Sequence, residues 1–406
     1  MRRSQEPFSE RPLKMEVQRS QRLKKLPPYL FADLRRKINE AKKRGVEVIS
    51  LGIGDPDTPT PDPVVQELVR AVTDAADPNR HRYGIDVPVA QFAQSVRDFY
   101  RRRWGVALAE DQVVTTNGSK DAIAQLPLAV MDPGDVGIAP VPGYPTYNIG
   151  HVFAGGVTHP APLLAENKFL VDFEAIPQDV LRRAKILWLN YPNNPTTATA
   201  DLEFFARAVE FGRTHNILIA HDAAYTENTY DGYVSPSILQ VESAAEVAVE
   251  FFSLSKAFCM TGWRAGMMVG NPSAVAALRA VQENTTNGVL RGIQFAAARA
   301  LDLAEKIIPP INAVYRRRRD MVVDALNAAG WKLEKPKATI YVWAPVPAKY
   351  SGSSAAFAAE LLEKTGVVVT PGLGYGQWGE GYFRISLTYP DDVIRKAVGR
   401  IVDTRL

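Results

Sequence analysis

The sequence predicts an α/β fold built on a largely parallel sheet with helices on both faces. Three observations carry that expectation. Six short, β-rich apolar runs recur between about residues 112 and 270, amphipathic helical stretches separate them, and the runs stay apolar throughout instead of alternating with polar residues. A strand with one wet face alternates, whereas a continuous apolar run is buried on both faces, as in a parallel sheet with helical crossovers. At 406 residues the chain is long enough to bury two cores.

The elements follow in order. Residues 1–25 read as a basic, flexible leader. Residues 1–44 hold 14 Lys/Arg against 5 Asp/Glu, which leaves the remainder of the chain acidic. A solvated leader followed by a helix with a charged face is a plainer reading than a nucleic-acid or membrane arm, and Met15 is an alternative start. The stretch FADLRRKINEAKKR (31–44) predicts a helix stopped by Gly45. A short strand, VEVISLGIG, follows, then the turn-rich DPDTPTPDP. The six sheet runs are QVVTTN (112–117), DVGIAP (135–140), AKILWLN (184–190), NILIAHD (216–222), EVAVEFFS (246–253) and GMMVG (266–270), with helices such as DLEFFARAVEFGRTH (201–215) between them. After a helical stretch near 290–329 come WKLEKPKATIYVWAPV, a helix at 353–365, VVVTPG, GYFRISLTYP and a last helix, DDVIRKAVGRI. These predict a smaller α+β domain at 296–406, built with residues 26–55, beside a large domain at 56–295.

Composition excludes several classes. No run of about 18 apolar residues exists, so no transmembrane helix is expected. The charged start lacks the apolar centre of a signal peptide, so a cytoplasmic protein is expected. The single cysteine, Cys259, allows neither an internal disulfide nor a four-thiolate zinc site. The five histidines show no metal-ligand spacing, and no catalytic metal is expected.

In an open parallel sheet, ligands bind just beyond the carboxyl ends of the strands. After QVVTT comes Asn117-Gly118-Ser119-Lys120, opening the helix DAIAQLPLAVM. After ILWLN comes YPNNPTT with Asn194. NILIAHD ends on Asp222, with Tyr225 three residues on, and EVAVEFFS leads through Ser253 and Ser255 to Lys256, with Arg264 eight residues later. Together these suit pyridoxal 5'-phosphate. A lysine forms an imine with the aldehyde, a carboxylate (Asp222) holds the ring nitrogen protonated, and a phenol and an amide (Tyr225, Asn194) tune the imine. The Gly118-Ser119-Lys120 turn, Ser253, Ser255 and Arg264 offer donors to a phosphate. Each part alone reads as ordinary structure: a Gly-Ser helix cap, an Asp in a turn, a surface SLSK loop, an Asn-Pro turn. The ordered set on one sheet edge is what carries the inference.

NYPNNPTT, HDAAYTE, FFSLSKAFCMTGWRAG and GYFRISL resemble the signature segments of class I/II, fold-type I aminotransferases, over nearly the whole chain from about residue 26. The resemblance implies a seven-stranded, mostly parallel sheet in the large domain. It makes Lys256 the Schiff-base lysine, Asp222 the pyridinium partner, Tyr225 and Asn194 the ligands of the ring oxygen, Arg264 a phosphate ligand and Tyr144 a ring-stacking residue. Arg384 would grip the substrate α-carboxylate as a bidentate fork, a geometry lysine lacks. Otherwise it reads as an outward polar residue of its strand. Within this class, PPYLFADLRRKI, LGIGDPD, HRYG, TTNGSKDAIAQLPLA and PLAVMDPGD are similar to the LL-diaminopimelate aminotransferases of lysine biosynthesis. That resemblance makes Tyr29 and Gly54 substrate contacts and puts Asn287 near phosphate or substrate. It also makes Tyr83 a residue contributed across a homodimer, with 2-oxoglutarate as acceptor.

Three positions depart from the family pattern. Thr197 replaces a glycine in NPTG, so a reshaped turn is expected, because β-branched residues disfavour positive φ. Pro88 replaces a usual glycine after Tyr83, and Cys259 stands where Asn is common. A broad-specificity aspartate, alanine or aromatic aminotransferase and a pyridoxal-phosphate lyase or decarboxylase are the alternatives. A ligand-sensing transcription regulator would need a winged-helix domain, for which the residues before Leu26 are too few.

Overall fold

In the computed structural model of this chain, residues 17–26, 30–86 and 88–403 are described, with the backbone alone for 30–35. The first strand, β1 (Ile49–Ser50), stands apart from the main sheet. Then come β2 (Val113–Thr116), β3 (Val136–Val141), β4 (Val157–Pro162), β5 (Ala184–Leu189), β6 (Leu218–Asp222), β7 (Ala248–Ser253) and β8 (Gly266–Gly270). These seven form one sheet in the order β2-β8-β7-β6-β5-β3-β4. Neighbours from β4 to β7 are parallel, while β8 runs antiparallel to both β7 and β2. One consequence shapes everything after it: β2, β5, β6 and β7 end on one edge of the sheet, and β8 begins there.

Each of the six apolar runs is a strand. All six residues of β7 are buried, as are five of six in β5, the two-sided burial that continuous apolar runs predict. The seventh strand, VTHPAP, has no such signature. Pro160 and Pro162 lack N–H groups, and the strand is tolerated because it sits at the sheet edge and pairs only with β3. Helix Leu202–His215 shows how the covering layer forms. Asp201 caps its start by accepting from the Phe204 N–H, Asn216 stops it at φ 53°, and Phe204, Phe205, Ala208, Val209 and Gly212 form the buried face. Burying each phenyl ring contributes about 2–3 kcal/mol.

The remaining strands are β9 (Tyr341–Pro345), β10 (Val367–Val368), β11 (Thr370–Pro371) and β12 (Tyr382–Ser386). β11-β12-β9 form an antiparallel sheet, and β1 pairs in parallel with β10. The expected strand over VEVISLGIG shrinks to two residues, for a physical reason. Beyond Leu51, whose N–H bonds to Val368 O at 2.7 Å, the carbonyls are taken by side chains rather than by a ladder. Gly52 O accepts from Arg384 (2.7 Å) and Thr370 (2.9 Å), Ile53 O from Thr388 (3.0 Å), and Gly54 O from Lys256 (2.6 Å). This segment is thereby pinned between the three-stranded sheet and Lys256 at the end of β7.

A buried arginine ties the same segment to the C-terminal elements. Arg318, on helix Ala304–Ala328, holds Asp57 in a fork at 2.7 and 2.8 Å, Asp391 at 2.9 Å and Leu387 O at 3.0 Å. Removing a buried cation strands its partners' charges. Arg318→Met is expected to cost on the order of 2–3 kcal/mol, read as a lower denaturation midpoint in urea. A midpoint equal to the parent's would show that the fork contributes nothing.

Candidate active site

The shared strand edge floors a cavity of about 540 Å³. β2 hands over to helix Ser119–Val130 through Gly118, whose φ of 73° suits glycine. Its bare α-carbon is also what lets Arg264 approach, since a Cβ there would strike the guanidinium. Arg264 reaches this edge because β8 runs backwards. It donates to Thr261 O (3.1 Å) and Asn117 O (3.2 Å), and it lines the cavity with Ser119, Lys120, Ser253 and Ser255. Five donor-bearing side chains at one end of the cavity suit a phosphate.

Lys256 follows β7 in a one-turn helix capped by Ser253, whose hydroxyl accepts from the Ser255 N–H at 3.2 Å. Its Nζ donates to Gly54 O. Burial pushes its pKa down, with the Tyr341 and Asp55 charges opposing. Gly54 itself packs so tightly on the Tyr341 hydroxyl that no side chain fits.

Asp222 is buried at the end of β6. Tyr147 donates to its Oδ2 at 2.8 Å, while Oδ1 is sealed from water without a partner and the residue lines the cavity. Burial raises its carboxyl to about 6, with the Tyr147 hydrogen bond and the His221 charge pulling the other way. An orphaned carboxylate oxygen calls for a donor. A ring N–H beside Oδ1, an aldehyde beside Lys256 and a phosphate beside Ser119 and Arg264 match the donors and acceptors present, which are those of pyridoxal phosphate.

Arg384, on β12, is fully buried. It donates to Asn194 Oδ1 (2.6 Å) and Gly52 O (2.7 Å), its Nε has no partner, and its guanidinium lies 3.9 Å from the centre of the Tyr341 ring and 5.1 Å from that of Tyr375. Tyr225 and Tyr341 share a hydroxyl–hydroxyl hydrogen bond of 3.1 Å. Burial alone would raise both phenols. Tyr225 does rise, whereas the Arg384 and Lys256 cations bring Tyr341 below its usual value. Tyr144 meets Tyr147 edge-on at 5.9 Å, and burial pushes its hydroxyl up to about 12.

Of the residues singled out from the sequence, Gly54, Ser119, Lys120, Tyr144, Asn194, Asp222, Tyr225, Ser253, Ser255, Lys256, Arg264 and Arg384 line this one cavity, with Gly118 directly behind Arg264. Tyr29 lies outside the described residues. Tyr83, 66 % exposed, and Asn287, at φ 53°, stand outside the cavity on two loops joined by the bond from Ile85 N to Asn287 O. The sequence reading missed Tyr147, Tyr341, Tyr375 and Asn190. A tyrosine three residues past Tyr144 on a helix was the available signal for Tyr147 and the strand end after Leu189 the signal for Asn190, but Tyr341 required knowing which strands pair.

The departures resolve individually. Thr197 keeps a positive φ of 62°, so the turn retains its shape and the residue carries the strain, held by bonds from Thr197 N to Asn193 O and Asn193 N to Ala198 O. Cys259 likewise sits at φ 54°, a conformation asparagine adopts easily. Pro88 is exposed, just before helix Ala90–Trp104. Among the described residues no group of metal-ligating side chains occurs, and no helix is long and apolar enough to cross a membrane.

Comparison with known proteins agrees with this arrangement. Residues 46–401 match the family model for aminotransferase class I and II. The LL-diaminopimelate aminotransferase of Moorella thermoacetica is 50% identical over 386 residues, covering 95% of this chain and 98% of that one. That of Gloeobacter violaceus is 49% identical over 382 residues, covering 94% and 96%. Substrate-bound BacF from Bacillus subtilis superposes with a TM-score of 0.90 at 36% identity, covering 97% of this chain and 98% of the other.

The raised Asp222 carboxyl has a consequence for stability. A folded value of about 6 against 3.8 unfolded means the native state binds the extra proton. Its contribution is present below about pH 4 and lost as pH rises through 6. Ligand-free Asp222→Asn is therefore expected to be more stable than the parent at pH 8, by on the order of 2–3 kcal/mol, and equal to it near pH 4. Thermal unfolding at the two pH values checks this, and a pH-independent difference would contradict it.

Proposed function

The chain belongs to the class I and II aminotransferases, and from that membership we propose that it transfers an amino group from LL-diaminopimelate to 2-oxoglutarate with pyridoxal 5'-phosphate as cofactor. The observation that carries this is the convergence of the Lys256 amine, the orphaned Asp222 oxygen and the Arg384 guanidinium on one cavity. Relatives bearing the substrate's name match over 94–95% of this chain, which supports the donor.

When bound, pyridoxal phosphate supplies a ring that takes up the electron pair left on the substrate α-carbon. Gly118, Ser119, Lys120, Ser253, Ser255 and Arg264 would hold its phosphate, Tyr144 would cover its face, and Asn194 and Tyr225 would meet its ring oxygen. Asp222, with Tyr147 holding its Oδ2 in place, would keep the ring nitrogen protonated. Lys256 would hold the cofactor, and its amine would move the proton at the α-carbon as general base and then acid, a task for which its lowered pKa suits it. Arg384 binds the α-carboxylate, its Nη1 turning from Asn194 or sharing with it. Gly54 keeps that end tight. Tyr29 and, from a second subunit, Tyr83 would enclose the distal end, with Asn287 near the phosphate or the substrate, so the active form is a homodimer working in the cytoplasm.

Borohydride treatment of the yellow holoenzyme should leave a phosphopyridoxyl group on Lys256, seen by peptide mass spectrometry. Modification of a different lysine would falsify the cofactor assignment. A donor panel against 2-oxoglutarate tests the substrate. A pocket with polar groups for the distal amine and carboxylate leaves them unpaired when a short donor binds. LL-diaminopimelate should therefore exceed aspartate, alanine and lysine by at least about 100-fold in kcat/KM, about 3 kcal/mol. Comparable efficiency with a short donor would instead establish a broad-specificity aminotransferase.

A further inference from the structure

Tyr341 lines the cavity, yet the reaction proposed above gives it no part. Its backbone enters β9 from a strained residue. Thr339, wholly buried, holds φ 74°, a value that β-branched residues disfavour. Such a conformation persists only where its surroundings fix it, and it gathers at functional sites. The fixing groups come from the loop after β6, the loop that also carries Tyr225. The Thr339 N–H donates to Asn228 O at 2.8 Å, Thr339 O accepts from the Tyr230 hydroxyl, and the Tyr230 N–H meets Lys337 O at 2.9 Å. The Tyr341 N–H then bonds back to Thr339 Oγ1 at 3.2 Å. Backbone contacts thus set Tyr225 and Tyr341 against each other.

The Tyr341 side chain has two working surfaces. Its hydroxyl lies 3.1 Å from the Tyr225 hydroxyl, and the two rings meet edge-on at 5.6 Å. Gly54 packs against the same oxygen so closely that any side chain there would strike it. The ring face carries Arg384, whose guanidinium lies 3.9 Å from the ring centre. Arg384 is buried, yet the two acceptors it meets, Asn194 Oδ1 and Gly52 O, are neutral. A protein carboxylate in that place would compete with a substrate carboxylate for the fork. An aromatic face stabilises the cation without consuming its N–H donors.

We propose that Tyr341 is a positioning residue with two functions: its hydroxyl fixes where the Tyr225 hydroxyl stands, and its ring holds Arg384 ready for a carboxylate. One side chain from the three-stranded sheet thereby aligns the group meant for the cofactor with the group meant for the substrate. The placement stands on contacts alone, while its effect on the reaction rests on the function proposed above.

Tyr341→Phe separates the two functions, because it removes the oxygen and keeps the ring. In crystals of the ligand-free full chain it should leave Arg384 in place and release the Tyr225 hydroxyl, whereas Tyr341→Leu should displace both. In the holoenzyme, a donor on the cofactor ring oxygen favours the state in which the imine with Lys256 has lost its proton. With Tyr225 released, the imine absorbance should titrate about one pH unit higher in Tyr341→Phe, a roughly tenfold shift in its equilibrium. In that variant kcat should fall while KM for the amino donor stays within about twofold of the parent's. Tyr341→Leu should also raise KM, by about tenfold. A tyrosine that only fills space would lower the denaturation midpoint and leave the imine titration where it was. An unmoved Tyr225 or an unmoved imine midpoint in Tyr341→Phe would overturn the hydroxyl's function, and a displaced Arg384 or a tenfold higher KM in that variant would overturn the ring's. Tyr341→Phe therefore decides both even if the leucine variant does not fold. Failure of the cofactor reading would show separately, as a parent enzyme without the Lys256 adduct, and the crystals would still decide the placement.

Discussion

A carboxylate shut away from water with one oxygen unpartnered, that of Asp222, is the constraint on which the site depends. An isolated charge in such a place costs several kcal/mol, so its surroundings are arranged around it. Tyr147 takes one oxygen. Asn190 takes the Asp222 backbone carbonyl with one end of its amide and presents the other to the Asn194 N–H, so a group needed at the end of β6 also fixes the loop leaving β5. The Tyr147 ring in turn stacks on Trp188 of β5 at 5.0 Å. Three neighbouring segments thus meet at Asp222, which lines the cavity while its Oδ1 stays unpartnered.

A second buried charge, the Arg384 guanidinium, joins the two parts of the molecule. It comes from the three-stranded sheet, lies against the Tyr341 ring and reaches across to Asn194 on the large sheet's edge. The same arginine, with Lys256 and Thr388, consumes the carbonyls of Gly52, Ile53 and Gly54. A segment with too few strand partners is thus ordered by side chains, two of which, Arg384 and Lys256, line the cavity. The two cations also explain why Tyr341 resists the rise that burial imposes on Tyr225.

What was legible in the sequence and what was not divides along physical lines. Continuous apolar runs exposed six strands because burial on both faces leaves no polar alternation. VTHPAP escaped because its prolines suit an edge and advertise nothing. Asp222, Lys256 and Asn194, which line the cavity, could be found because a parallel sheet puts the ends of their strands together. Tyr341 and Arg384 meet only through strand register: Arg384 is opposite Trp343, and Tyr341 is the diagonal neighbour two residues along β9. No local pattern contains that pairing. Thr197 shows the converse, where a sound local rule about positive φ yields to two backbone hydrogen bonds fixed by the surrounding turn.

The same division explains why reaction type is easier to derive than substrate. Every amino donor shares an α-carboxylate, and the groups for that end lie within one subunit, held by buried contacts. The distal end is different. Tyr83 is two-thirds exposed, outside the cavity of its own chain. The proposed reading gives that residue to the pocket of another copy. On the proposed reading, then, subunit association and substrate choice are one property: a lone chain would hold the cofactor, the proton-moving lysine and the carboxylate fork, yet lack the polar contacts that distinguish a long diamino diacid from a short donor. On that same reading, discrimination between amino acids is a property of the interface, while catalysis is a property of the strand edge.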